Sequence, residues 1–471
     1  MSATATRYAL FFASMLLLAA CAAASAPYST TQPVNATTEA RAPMRRVVGL
    51  GAIDPLTKVI FNIYKFEPSS DDTLPYGGLY QDGSGVLYGT TVSGGSYGAG
   101  AVYSVDPASS NTETIIYPFG GPPDGFHPFS TLIADANGVL YGTTQEGGTS
   151  TACGKNKDGK NIGCGIIFAL TPNPSTGKYV ETILYNFQNS PDGAKPYAGV
   201  VEANGVLYGT TQVGGADKQG TVFSLNPSNP STYKQLYSFT GGADGGLPNA
   251  IAEYNGTLYG TTAAGGLGVG SVFSMTLSGA ITPLYAFNPF ATPSDGWAPE
   301  DQLILDPKSG LLYGTTANGG RFSFGTVFRI SPTGTSYKVV YSFGGRRVGD
   351  GATPYAALTE SPTNTEIFYG TTVAGGTGPC DAPNNGVEIG CGTVFELDLS
   401  GKSPVEKVLT SFKGDAHDSG AFPYAGVVAE PTEGQLYGVT YNGGTKNLTI
   451  CPQGCGVLYE YDRHAAAKSD R

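Results

Sequence analysis

The segment Val206-Leu-Tyr-Gly-Thr-Thr211, followed by Gly214-Gly215 and then Gly220-Thr-Val-Phe-Ser-Leu225, decides the fold because it recurs. Its heart, Leu-Tyr-Gly-Thr-Thr, begins at Leu87, Leu140, Leu207, Leu258 and Leu312, with variants at Phe368 (Phe-Tyr-Gly-Thr-Thr) and Leu436 (Leu-Tyr-Gly-Val-Thr). Seven copies, with steps of 51 to 68 residues between their tyrosines, mark a repeat architecture. Around the quoted copy lie a short apolar run (198–203), the turn Asn204-Gly205, and a last run from Tyr233 to Phe239. Four short runs divided by turn residues predict a four-stranded antiparallel meander. The runs alternate poorly, as expected of sheets packed on both faces. A β-helix coil is too short for this period and a sandwich too long, whereas a propeller blade fits.

The expectation is therefore an all-β, seven-bladed β-propeller of four-stranded antiparallel sheets. The seventh copy ends after its third strand, residues 456–461, while an orphan strand, residues 58–66, precedes the first copy and has the fourth-strand pattern. That N-terminal strand is expected to complete the last blade and leave no open edge.

Composition agrees. Of 471 residues, 69 are Gly and 32 Pro, and only 13% are charged, which disfavours a helical protein. Aromatics at 11% disfavour disorder, and no Gly-X-Y period allows collagen. The net charge of -11, with no basic stripe, argues against nucleic acid.

Arg7 followed by an apolar run (8–20) is an export signal too short to span a bilayer. Leu18-Ala19-Ala20-Cys21 resembles a bacterial lipobox, with Cys21 the lipidated residue; Ala24-Ser25-Ala26 offers ordinary signal cleavage instead. The expected layout is a signal peptide and lipobox (1–21), a flexible tether (22–44), the propeller (45–463) and a tail (464–471). The membrane is expected to be met only through the N-terminal lipid, the protein being exported to the outer membrane or cell surface as a monomer.

The pattern Leu-Tyr-Gly-Thr-Thr-x-x-Gly-Gly, then Gly-Thr-Val-Phe, resembles the GloVer repeat of bacterial "choice-of-anchor" surface proteins from residue 58 to 461, and more distantly the kelch blade. The resemblance implies an exported, anchored, repeat-built protein and implies no activity.

Between the Gly-Gly and the next strand's glycine, copies one, three, four and five insert 4, 4, 3 and 4 residues, but copies two, six and seven insert 16, 15 and 11. Each long insert holds a cysteine pair: Cys153 and Cys164, Cys380 and Cys391, Cys451 and Cys455. Three local disulfides, each cinching a finger, are expected; zinc would want Cys-x-x-Cys and nearby histidines. In such a meander these fingers share a rim with the blade-joining loops, which carry Asp-Gly-x-x-Pro at Asp124, Asp192, Asp244, Asp295 and Asp350, with looser forms near Asp72 and Asp418. The aspartates are expected to brace turns, with a calcium ring as the rival reading.

Phe126, His127, Trp297, Arg346 and Arg347 are individual to their blades in those loops and are the candidate binding residues. Gly94-Gly-Ser96-Tyr-Gly98 imitates a nucleophile elbow, but sits at a hairpin tip rather than a strand-to-helix turn. His127, His417 and His464 form no triad pattern, and no catalytic, metal or cofactor motif is present. Two functions remain: a surface module binding a carbohydrate or protein through the rim of blades six, seven and two, or a glycan-active enzyme at the channel mouth. For the second, Glu300 and Asp301 are the only tight acidic pair entering an inner strand.

Overall fold

The computed structural model describes residues 60–463, apart from 68–71, 110, 292–294, 382–387, 402, 415–418, 433, 447–450 and 452. Cys21, the tether, His417, Asp418 and the tail from His464 lie outside the described residues. Seven antiparallel sheets follow one another as predicted. The third blade runs Val201–Ala203, Val206–Thr211, Thr221–Asn226, Asn229–Ser238 in both sequence and space. The seventh is composite: Ile60–Lys65 pairs with Val457–Asp462, placing the first described strand outermost in the last blade.

The repeat motif is explained by what each residue touches. The second strands are buried along almost their whole length, so neither face is free to be polar. The motif glycine faces the aromatic ring of the third strand. At Gly209 an added Cβ would stand 2.5 Å from the Phe223 ring, so the position excludes any side chain. That ring packs edge-on against the phenylalanine closing the fourth strand of the preceding blade. The seven pairs are Phe66–Tyr103, Phe119–Phe168, Phe187–Phe223, Phe239–Phe273, Phe287–Phe328, Phe343–Phe395 and Phe412–Tyr459, with centroids 5.0–5.3 Å apart. All fourteen rings are fully buried, and each pair sits in an apolar cluster bridging two blades. The core is thus a ring of seven inter-blade seams, and Phe66 supplies the last of them.

The first motif threonine fastens the same seams nearer the axis. Thr90, Thr143, Thr210, Thr261, Thr315 and Thr371 donate to inner-strand carbonyls of the next blade, at 2.7–3.2 Å. The seventh position is Val439, which carries no hydroxyl. The third blade's inner strand begins at Val201 rather than at the expected 198, and the Ala198 carbonyl ahead of it is taken by Thr143.

Candidate functional site

The blade-joining loops and the fingers meet on one rim. Gly125–Phe126 pairs with Glu146–Gly147 and Gly351–Ala352 with Ala374–Gly375, while single bridges join Ala194 to Val213, Trp297 to Asn318 and Ala421 to Asn442. The three expected disulfides are present, Cys153–Cys164, Cys380–Cys391 and Cys451–Cys455. They fall in blades two, six and seven, so blade one lies between two fingers.

The loop aspartates brace turns. Asp124, Asp192, Asp244, Asp295 and Asp350 each accept a backbone N–H at the loop's start, and each also accepts the hydroxyl of the fourth-strand tyrosine just before it. The residue before each proline has a left-handed backbone, with φ of 52–63° at Leu74, His127, Lys195, Leu247, Ala298, Thr353 and Phe422. Such angles are uncommon away from glycine. Each is held by its N–H, which donates at 2.7–3.1 Å to the carbonyl just ahead of the third-strand glycine in the preceding blade. In three blades that carbonyl belongs to a disulfide cysteine: Cys455 for Leu74, Cys164 for Lys195 and Cys391 for Phe422. The fingers are thereby tied directly to the loops that enter the channel.

This hinge delivers one residue per blade, the one after the proline, to the axis. The seven are Tyr76, Phe129, Tyr197, Asn249, Glu300, Tyr355 and Tyr424. Tyr76 stacks on Tyr424 at 4.8 Å and meets Phe129 edge-on at 5.0 Å, Phe129 stacks on Tyr197 at 5.2 Å, and Tyr355 meets Tyr424 edge-on at 5.5 Å. The hydroxyls of Tyr76 and Tyr197 are hydrogen-bonded to one another across the ring. Tyr441, following the second-strand threonine of blade seven, adds a further ring against Tyr76 and Tyr424. All six of these aromatic residues are half-buried. Asn249 is spent structurally, donating to Thr261 Oγ1 and the Pro299 carbonyl.

Glu300 is the one carboxyl in this ring. Burial, reinforced by the charge of Asp301, pushes its pKa up to about 8 against the opposing hydrogen bond from the Tyr355 hydroxyl, so it is protonated at neutral pH. Burial holds the phenols of Tyr76, Tyr197 and Tyr355 well above their ordinary range. Asp301 accepts the N–H groups of Gln302 at 2.7 Å and Ala357 at 2.9 Å, so its oxygens brace the junction with blade six.

The loop residues singled out from sequence are scattered around the rim. His127 stacks on Phe126 at 3.7 Å and lies 3.7 Å from Glu146, which also faces Lys195 at 3.8 Å. Burial and the Lys195 charge push the His127 pKa down to about 4, leaving it neutral. Arg346 is occupied, reaching Glu388 of the blade-six finger at 2.5 Å and the Gly378 carbonyl, while Arg347 is exposed. Trp297 is half-buried against the seam of blades four and five, its ring over Gly319. The tyrosines of the axis were missed. Their signal is positional: the variable residue directly behind every loop proline.

Residues 150–381 match the family described as the Gloeobacter/Verrucomicrobia repeat. That stretch carries the Gloeobacter/Verrucomicrobia repeat. No curated protein matches the chain's sequence significantly. Among solved structures, the repeat propeller is similar to puromycin hydrolase at 10% identity and a TM-score of 0.50, covering 80% of this chain and 52% of that one. A chain of the mitotic checkpoint complex gives 10% and 0.48, covering 93% and 99%, and a gluconolactonase from Xanthomonas campestris gives 12% and 0.38, covering 66% and 85%. The chain spans about half the length of puromycin hydrolase, and at such identities the likeness is one of fold.

Proposed function

We propose that the protein is an exported, lipid-anchored cell-surface module that binds a carbohydrate or protein ligand at the aromatic channel mouth, between the fingers of blades six, seven and two. One coincidence carries the reading. The axial aromatics crowd into blades six, seven, one, two and three, the sector flanked by the three cystine-tied fingers. Half-buried aromatic surfaces suit capture of a flat or ring-shaped group. Phe126 and His127, on the blade-two loop, and Arg347, beside the blade-six finger, are the residues we assign to the outer parts of such a ligand. Arg346 serves by holding that finger, and Trp297 borders the far side of the rim. Three disulfides suit an oxidising compartment, which supports export ahead of the lipobox at Cys21.

The rival, glycan-active reading has Glu300 in its favour, since a carboxyl protonated at neutral pH suits a general acid. It needs a second carboxylate as base or nucleophile. The neighbouring Asp301 is tied to two backbone N–H groups, which favours binding.

The test is a glycan and peptidoglycan array probed with the chain from residue 44. Capture is expected from the parent, and loss of capture from Tyr76→Ala, Tyr424→Ala and a variant whose blade-two and blade-six inserts are cut to four residues. Capture that survives all three changes removes the channel mouth as the site.

A further inference from the structure

The ring behind the prolines is lopsided in chemistry. Five positions present aromatic rings, Tyr76, Phe129, Tyr197, Tyr355 and Tyr424, and one presents a carboxyl, Glu300. The rings do not form a single flat stack: Tyr76 lies at 16° to Tyr424 but at 80° to Phe129, and Tyr355 at 88° to Tyr424. The rings therefore meet at several angles, and each is only half-buried. Among the described residues no Lys or Arg ion pair involves Glu300; the ion pairs lie on the rim and the outer surface.

We propose that the channel mouth is an aromatic cage for an organic cation, a methylated or quaternary ammonium group carried by the ligand, with Glu300 as its counter-ion. The proposal rests on the reading of the mouth as the binding site and gives its ligand a chemical class. Aromatic faces carry negative potential and attract weakly hydrated cations, an attraction that strengthens when water is excluded. A neutral sugar could stack on the same rings, but it would offer the Glu300 carboxyl no opposite charge to ionise against. A cation supplies that charge. The protein's net charge of -11 also favours the approach of cations over anions.

Burial favours the protonated form of Glu300, and a seated cation favours the carboxylate, so binding below about pH 8 releases a proton. The groups facing Glu300 are Tyr355, Asp301, Tyr76 and Tyr197. Burial keeps the phenols protonated across this range; burial also raises Asp301, with its two backbone donors opposing the shift. Glu300 is therefore the group whose proton is exchanged.

The experiment is calorimetric titration of the full chain with choline and with 3,3-dimethylbutanol, its neutral isostere, near pH 6.5 and near pH 9.5, in buffers of differing ionisation enthalpy. Choline is expected to bind about tenfold or more tightly than the isostere, with proton release at the lower pH and none at the higher. Glu300→Gln is expected to lower choline affinity by about tenfold and abolish the proton release. Tyr424→Leu, which keeps an apolar wall but removes a π face, should weaken choline and spare the isostere. Absence of choline binding, equal binding of the two probes, or undiminished binding in Glu300→Gln overturns the cage. Capture of a neutral glycan on the array by parent and Glu300→Gln alike would retain the mouth as a binding site while overturning its cationic ligand.

Discussion

Replacing Phe66 by Ala tests the closure of the ring. The side chain is fully buried, edge-on to Tyr103 at 5.1 Å and to Tyr64 at 5.2 Å, in the cluster joining blades seven and one. Removing a buried phenylalanine costs about 3–5 kcal/mol, of which the aromatic pairing accounts for about 0.5–1.5 kcal/mol. Phe239 is its counterpart between blades three and four, equally buried and 5.3 Å from Phe273. The two changes should therefore cost similar amounts, but their consequences should differ in place. Phe239 lies in continuous chain, whereas Phe66 directly follows the strand Ile60–Lys65, which is held to its blade by pairing with Val457–Asp462. Denaturant titration gives the magnitudes, and hydrogen exchange locates the opening. In Phe66→Ala, the amides of Ile60–Lys65 and Val457–Asp462 should lose protection ahead of every other blade; Phe239→Ala should show no such preference. A loss of less than about 1 kcal/mol for Phe66→Ala, or exchange that rises evenly around the ring, would refute closure by this strand.

Gly209→Ala should destabilise by about 1–3 kcal/mol in denaturant titration, since the new methyl lands on the Phe223 ring; a neutral result would show that the ring can move away. Thr371→Val should cost about 1–2 kcal/mol by the same assay, because it strips the buried Ala425 carbonyl of its hydroxyl donor. Stability should also fall as pH rises from about 6.5 to 8. Glu181, Glu300 and Glu406, each pushed by burial to about 8, bind protons there that the unfolded chain has lost at its ordinary 4.5. Their contribution is complete below about 4.5 and is lost as pH passes 8, at up to about 1.4 kcal/mol per pH unit for each group. Between about 4 and 6.5 His127 opposes them, because its depressed pKa makes acid destabilising, so the upper window is the clean one. Melting temperatures followed across it should fall in the parent and flatten in the Glu181→Gln, Glu406→Gln double variant; a rising profile would contradict the burial of these carboxyls.

Blade number, closing strand and cystine-tied fingers were legible in the sequence because each depends on a local pattern repeated at a fixed period. The seam partners were not. Glu181 shares a hydrogen bond with the hydroxyl of Tyr117, and Glu406 with that of Tyr341, across neighbouring blades, and nothing within one copy announces such a contact. The axial ring was hidden differently. Asp-Gly-x-x-Pro caught the eye because it is constant, while the residue behind it is informative because it varies. Trp297 shows the converse: rarity and a loop position made it a candidate binding residue, while its backbone bridges to Asn318 and the indole settles on the adjoining blade seam.

Val439 stands where the other six blades have a latching threonine, and the joint it occupies is the one that must be made last. Ile60 finds its partner in Tyr461, so the earliest described strand waits for nearly the entire polypeptide before it can dock. A contact between such distant partners forms slowly. Until it does, six blades can stand assembled with the seventh sheet lacking its outer strand. The ring therefore closes through a contact whose loop-closure cost spans almost all of the described chain.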